Sequence, residues 1–240
     1  MSAPTEHQPP ALVLVVEDEK SLAGIVSAYL SRAGYTTDVV HNGPDAVVAV
    51  RERDPDVVIL DLGLPGLDGV EVMRQIRTFS DCYVIITTAR TDEVDRLVGL
   101  SVGADDYVTK PFSVRELVAR VQAVLRRPRS RRTSAPEPSQ PAWTFGGLEV
   151  DSAGREARLA GQTLALTPTE RDLLITLAGR PSQAFTRRQL IDAVWGENWV
   201  GDEHLVDVHI ANLRRKLGDA PDAARYVLTV RGVGYRMGKG

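Results

Sequence analysis

A chain of 240 residues, 43% hydrophobic and 25% charged, is long enough for two ordinary domains, and a polar break near its middle favours that division. No run of eighteen apolar residues occurs, and the segment MSAPTEHQPP is polar and proline-rich, which argues against a membrane span or secretory leader and for a soluble, cytoplasmic protein. Cys82 is the only cysteine, which excludes an intramolecular disulfide and a multi-cysteine metal site. The net charge of -3 is unevenly spread: residues 1–125 carry 11 Lys and Arg against 19 Asp and Glu, residues 126–142 carry 5 against 1, and residues 143–240 carry 13 against 12. An acidic first half therefore meets a basic connection and a near-neutral second half, a balance that does not by itself announce nucleic-acid binding.

In chain order, residues 1–10 are expected to form a disordered arm, followed by short apolar runs alternating with helical patterns. Strands are predicted at Leu12–Val16, Thr36–Val40, Val57–Asp61, Tyr83–Thr87 and Asp106–Val108, and helices at Ser21–Ala33, Pro44–Arg53, Val70–Arg77, Asp92–Val102 and Val114–Arg127. Five βα units in succession predict an α/β fold, a five-stranded doubly wound parallel sheet over residues 11–127, with ligands beyond the carboxyl ends of the strands. Arg, Ser and Pro without apolar periodicity make residues 128–142 a flexible linker. From residue 143 to 240, glycine-broken strand-like pieces at Trp143–Leu166 precede helical patterns at Pro168–Ala178, Arg187–Val194 and Asp202–Leu217 and a hairpin at Tyr226–Met237. Three helices closed by a hairpin predict an α+β winged helix-turn-helix domain.

Glu17 and Asp18 directly follow the first predicted strand, and Asp61 ends the third. Parallel strands end on one side of their sheet, so these carboxylates converge although more than 40 positions separate them. Converging carboxylates repel unless a positive charge intervenes, and a hard divalent cation such as Mg²⁺ is the natural one. Lys110 after the fifth strand and Thr88 after the fourth reach the same rim, where an ammonium and a hydroxyl could hold a phosphoryl group on Asp61. Each residue taken singly has a structural explanation, such as negative charge at a helix N-terminus for Glu17 to Glu19. All five falling at strand ends is what points to chemistry.

The segments VVEDE (Val15–Glu19), LDLGLPGLDG (Leu60–Gly69), TAR (Thr88–Arg90) and GADDYVTKPF (Gly103–Phe112) resemble the receiver domain of bacterial two-component response regulators across residues 11–127. The resemblance implies that Asp61 accepts a phosphoryl group from a sensor histidine kinase, that Glu17, Asp18, Asp61 and the Gly63 carbonyl serve Mg²⁺, and that Lys110 contacts the phosphoryl. It makes Thr88 and Tyr107 a switch pair, and it implies self-catalysed phosphoryl transfer rather than a dedicated enzyme. The interval between Asp61 and Thr88 is a few residues short around Thr78–Tyr83, which reads as a trimmed loop.

In the second half, HLVDVHIANLRRKL (His204–Leu217) places Leu205, Val208, Ile210, Leu213 and Leu217 where one face can be buried, leaving His204, Asp207, His209, Asn212, Arg214, Arg215 and Lys216 to other faces. Basic and amide groups on such a helix suit a DNA major groove, although on the helix alone an ordinary surface helix with cations near its C-terminus is the better reading. LTPTERDLLITLAGRPSQAFTRRQLIDAVWG, VDVHIANLRRKLG and VLTVRGVGYRM resemble the winged-helix effector domain of OmpR/PhoB-type transcription factors over residues 143–238. By that resemblance His204, His209, Asn212 and Arg214 face double-stranded promoter DNA, Arg231 lies on the wing, and Trp195–Gly201 is a loop that can touch RNA polymerase. His204 and His209 are five residues apart and lack a suitable third ligand, so zinc is discounted.

The resemblance also implies a phosphorylation-favoured homodimer, held by charge pairs among Arg96, Asp105, Asp106, Glu116, Arg120 and Arg127, although intramolecular pairing of the same residues is an alternative. Two other functions fit parts of the sequence. A Mg²⁺-dependent phosphatase or phosphotransferase would use the aspartate as nucleophile but lacks an evident general acid and substrate-binding cap. A phosphorylation-independent DNA-binding regulator would carry a vestigial receiver.

Overall fold

The computed structural model describes residues 10–89, 100, 102–127, 142–220 and 223–240. The first half is a sheet of five parallel strands, β1 (Leu12–Val16), β2 (Thr36–Val40), β3 (Val57–Asp61), β4 (Tyr83–Thr88) and β5 (Asp106–Thr109), in the order β2-β1-β3-β4-β5. Side-chain alternation divides the apolar residues between two faces: Val13 and Val15 meet Val26 and Leu30 of α1 (Lys20–Arg32) and Leu117 and Val121 of α4 (Val114–Leu125). Leu14 and Val16 belong to the other cluster, with Ala46 and Val50 of α2 (Gly43–Arg53) and Val72 and Met73 of α3 (Gly69–Ile76). With both faces covered, the inner strands β1, β3 and β4 are apolar almost throughout, as a parallel sheet requires, while the edge strands β2 and β5 carry polar residues. The order reverses at β1, which lies between β2 and β3, and so opens a crevice at the carboxyl ends of β1 and β3.

The shortened interval after α3 is a tight connection from Ile76 to Tyr83. Arg77 fills it, donating to the carbonyls of Cys82 (2.5 Å) and Gly103 (2.8 and 2.9 Å) and to Asp105 Oδ2 (2.8 Å). Gly69 has a steric reason at the start of α3: a Cβ there would stand 2.4 Å from the Asp61 carbonyl oxygen. All but Pro10 of the predicted arm, all but Ala142 of the predicted linker, and most of the predicted helix at Asp92–Val102, with Arg96, lie outside the described residues.

The second half begins with an antiparallel sheet of β6 (Trp143–Phe145), β7 (Leu148–Asp151), β8 (Glu156–Leu159) and β9 (Gln162–Thr163). Three helices follow, α5 (Pro168–Gly179), α6 (Arg187–Val194) and α7 (His204–Leu217). The first two open with capping boxes, Thr167 with Glu170 and Thr186 with Gln189, and the last stops at Gly218, whose φ of 66° a glycine adopts without strain. The hairpin of β11 (Val227–Val230) and β12 (Gly234–Met237) is extended by a two-residue strand, β10 (Phe185–Thr186), too short for a sequence pattern to reveal. Buried Asp219 ties this hairpin to α7 by accepting from the amides of Arg225, Tyr226 and Val227 at 2.8 to 3.0 Å.

The two halves share a core. The buried cluster on the α2 and α3 side of the parallel sheet continues through Leu100 and Ala104 to Leu173, Trp195, Leu205 and Tyr235 of the second half.

Candidate functional site

At the carboxyl ends of β1, β3 and β5 the backbone ladders continue one step into the loops and fix the acidic residues. The Glu17 amide donates to the Val40 carbonyl (3.1 Å), that of Leu62 to Thr87 (3.1 Å) and that of Lys110 to Thr88 (2.7 Å). Lys110 Nζ then donates to both oxygens of Glu17 (2.9 and 2.8 Å) and to Asp61 Oδ2 (2.8 Å), while the Gly63 amide donates to Asp61 Oδ1 (3.0 Å). Glu17, Asp18 and Asp61 each offer an oxygen within 4.8 Å of the others, with Glu17 and Asp61 buried and Asp18 exposed. Five sequence-predicted residues, Glu17, Asp18, Asp61, Gly63 and Lys110, thus meet at one rim.

Burial pushes the Glu17 carboxyl above its ordinary range, and the neighbouring Asp61 charge adds to this against the opposing pull of Lys110. Burial alone would lower the Lys110 ammonium, but its hydrogen bonds and charge interactions with Asp61 and Glu17 outweigh that and raise it. The pocket is therefore an oxygen-only set of carboxylates whose repulsion a single ammonium relieves, the kind of donor set that suits a small hard cation. Thr88 lies buried at the end of β4, and Tyr107, half-buried in the next strand, packs on the core beneath it.

The charged face formed by β5 and α4 is occupied from within the chain. Asp105, fully buried, accepts from Arg77, from the Val84 amide (2.8 Å), and across to the second half from the Thr169 amide (3.2 Å) and hydroxyl (2.7 Å). Arg127 donates to Thr169 Oγ1 (2.9 Å) and lies 3.6 Å from Asp172. Asp106 takes both Arg120 (3.0 and 3.1 Å) and the Trp199 indole (3.0 Å), and Arg120 also reaches Glu116 (2.8 Å) and the Val200 carbonyl (2.9 Å). Four of the residues expected to pair across a dimer, Asp105, Asp106, Arg120 and Arg127, are thus engaged with the second half. Glu116 pairs within α4.

On α7 the structure differs from the expected exposure. Leu205, Ile210, Leu213 and Leu217 are buried as the periodicity predicts, but His209 and Asn212 are buried too, because the first half covers them. Asn212 donates to the Leu100 carbonyl (2.9 Å), and the His209 ring lies 5.6 Å from that of Trp195. Arg214 turns inward to the Val227 carbonyl (2.7 and 2.9 Å) and Thr229 (2.8 Å) of the hairpin. His204 and Arg231 remain exposed. Sequence reasoning did not single out Thr169, the inward roles of Trp195 and Trp199, or Asp207 as a junction. Asp207 accepts from Arg187 (2.8 Å) and Tyr235 (2.7 Å) and pairs with His204 (3.0 Å), linking α6, α7 and β12. Two tryptophans in the polar stretch WGENWVGD were the available signal that this loop is buried.

Comparison with known proteins agrees with this architecture. Residues 13–122 match the response regulator receiver domain, and residues 161–237 match the C-terminal domain of transcriptional regulatory proteins. The chain is 45% identical over 226 residues to the DNA-binding response regulator MtrA of Mycolicibacterium smegmatis, covering 94% of this chain and 96% of that protein. It is 41% identical to the sensory transduction protein RegX3 of the same organism, covering 94% and 98%. Among solved structures, a RitR mutant matches with a TM-score of 0.76 at 29% identity, covering 96% of this chain and all of that one. Thermotoga maritima DrrB, an OmpR/PhoB homologue, matches with a TM-score of 0.50 at 31% identity, covering 95% and 99%. A parallel five-stranded domain with its acidic rim, followed by a winged helix-turn-helix and matched along nearly its whole length, places this chain in the OmpR/PhoB-type family of two-component DNA-binding response regulators.

Proposed function

We propose that Asp61 is the phosphoacceptor of a transcription regulator that takes its phosphoryl group from a sensor histidine kinase. The observation that carries this reading is the simultaneous grip of Lys110 on Glu17 and Asp61, with Asp18 close enough to complete an oxygen-only cation site. Glu17, Asp18, Asp61 and the Gly63 carbonyl would hold Mg²⁺, which, when bound, offsets the charge that gathers on the transferring phosphoryl oxygens. Asp61 Oδ2, hydrogen-bonded to Lys110, is the oxygen placed to attack phosphorus, forming the P–O bond as the P–N bond to the kinase histidine breaks and its imidazole leaves. Lys110 then follows the negative charge to the phosphoryl oxygens, and the Thr88 hydroxyl donates to them from the end of β4. The receiver catalyses its own phosphorylation and dephosphorylation in this reading and is not a dedicated enzyme. The site works in the cytoplasm, and the domains divide at residues 11–127 and 143–240 with 128–142 as linker.

The closed arrangement, with the second half docked on the first, is the resting form. Asp105, Asp106, Arg120 and Arg127 cannot pair across a dimer while they hold Thr169, Trp199 and Val200, and α7 cannot enter a groove while Asn212 and His209 are covered. Phosphorylation at Asp61, relayed through Thr88 and Tyr107, releases both surfaces. Dimers then place two recognition helices on adjacent half-sites, and the Trp195–Gly201 loop becomes free to meet RNA polymerase. His204, His209, Asn212, Arg214 and the wing residue Arg231 form the DNA-facing set of the released form.

The test compares wild type with Asp61→Asn before and after acetyl phosphate, measuring mass in solution and affinity for promoter fragments. Wild type is expected to dimerise and bind more tightly while the variant does neither. An equal response of the two proteins eliminates Asp61 as the switch, and high affinity in both without phosphoryl donor favours a phosphorylation-independent regulator.

A further inference from the structure

His209 is the one histidine of α7 sealed from solvent, enclosed between Trp195 of its own half and the Asp105 backbone and Arg127 of the other. Its ring rests beside Trp195, which itself donates to the Asp105 carbonyl (3.3 Å). Among the described residues, the titratable and charged groups that act on it are Asp105 just before β5, Arg127 just after α4, and Lys216 on its own helix. Lys216 is already paired with Glu170 of α5 (2.6 Å). Asp105 is the only anion of that set, and it already takes Arg77, the Val84 amide and both donors of Thr169. His209 Nε2 has no hydrogen-bond partner.

We propose that His209 is a proton-operated release for the contact between the two halves: protonating its imidazole favours their separation, so mild acid uncovers the recognition helix without phosphorylation. The geometry supplies the cause. A neutral imidazole needs one donor and one acceptor, whereas the imidazolium has two N–H donors. In the closed arrangement the second donor would be buried without an acceptor and would stand beside the cations Arg127 and Lys216. In the separated arrangement water solvates it.

In the closed arrangement the imidazole is pushed down to about 4, first by burial and then by Arg127 and Lys216, with Asp105 opposing. Uncovered, it returns towards its ordinary value of 6.5. The closed form therefore binds fewer protons, and its advantage is intact above pH ~6.5 and erodes as pH falls from there towards ~4. Between pH 7.5 and 5.5 the open-to-closed ratio should rise about tenfold, and below pH ~4 the gain saturates at roughly 300-fold. The proton linkage needs no DNA. Only its regulatory consequence rests on the function proposed above, so the experiment is run on the full-length, unphosphorylated protein without DNA.

The Thr169 amide reports opening directly. It lies in the first turn of α5, where a helix offers no internal acceptor, and its partner is Asp105 of the other half. Native-state hydrogen exchange at Thr169, corrected for the intrinsic pH dependence of exchange, measures even a rare opening. Wild-type protection is expected to fall about tenfold from pH 7.5 to 5.5 while core amides such as Leu60 keep theirs. His209→Gln, which cannot be protonated, and His209→Phe, which keeps a ring beside Trp195, should both change less than about twofold. Constant protection in wild type, an equal fall in the variants, or an equal fall at Leu60 overturns the proposal. Should both variants have lost Thr169 protection already at pH 7.5, the decision passes to wild type: protection falling about tenfold at Thr169 and not at Leu60 upholds the proposal, and any other course overturns it.

Discussion

Lys110 carries two jobs with one ammonium: it neutralises a pair of carboxylates that would otherwise repel, and it keeps Asp61 Oδ2 in a fixed position. Removing it leaves two buried acids uncompensated, and a cation can then take over the first job only. Lys110→Ala is therefore expected to lose phosphorylation at Asp61 and to show a larger Mg²⁺-dependent rise in melting temperature than wild type. In wild type, Mg²⁺ at a hundredfold excess over its Kd should stabilise the protein by about 2.7 kcal/mol. In Asp61→Asn, with one charged ligand gone, that increment should shrink to a fraction of this value. A calorimetric melt of each protein with Mg²⁺ or EDTA checks both statements, and equal Mg²⁺ responses in all three would remove the cation from the site.

At the scale of elements, the way a helix begins matters more here than its interior propensity. The capping box of α5 is joined to α7, because Glu170 Oε2 accepts from the Thr167 amide (2.9 Å) and from Lys216 (2.6 Å). Thr167→Ala should cost about 1 kcal/mol, at the ordinary value for a lost N-cap, visible as a lower urea midpoint with an unchanged slope. At the start of α3 the constraint is steric. Gly69→Ala forces a methyl group against the carbonyl of Asp61 itself and is expected to destabilise by roughly 1–3 kcal/mol. Because the displaced atom belongs to the residue proposed as acceptor, slower phosphorylation by acetyl phosphate should accompany the loss, and an unaffected rate would show that the strand end yields without moving the carboxylate.

For the whole molecule, the domain contact joins a buried polar network to a buried aromatic pair. Thr169 bridges Asp105 and Arg127, while Trp195 and Trp199 pack 6.1 Å apart, with Arg127 over the first ring and Arg120 over the second. Thr169→Val keeps the shape but strips acceptor and donor from two buried ionic groups, which costs the closed form about 1–3 kcal/mol. Unphosphorylated Thr169→Val should consequently bind promoter DNA roughly 5- to 150-fold more tightly than unphosphorylated wild type, and phosphorylation should add correspondingly less. A gel-shift or anisotropy titration at fixed salt decides this. Affinity identical to wild type would mean that the contact does not restrain α7.

Much of this protein was settled by its sequence. Short apolar runs separated by helical periods led to the five parallel strands within a residue at each end, and the acidic, hydroxyl and lysine residues at their termini could be assembled into one site because parallel strands all end on one side. The buried leucines and Ile210 of α7 were readable for the same reason, since periodicity reports which face a helix turns inward. Periodicity carries no record of a surface supplied by another domain. His209 and Asn212 sit on faces that look solvent-bound in the sequence, and only the tertiary structure shows them covered. The pairing of Asp105 with Thr169, 64 residues away, and of Asp106 with Trp199, 93 residues away, is likewise decided by the docking of two independently patterned units. The sequence thus determined the two units, a parallel sheet with an acidic rim and a winged helix-turn-helix, while the structure alone decided that one is closed over the other, because long-range complementarity of shape and charge has no local signature.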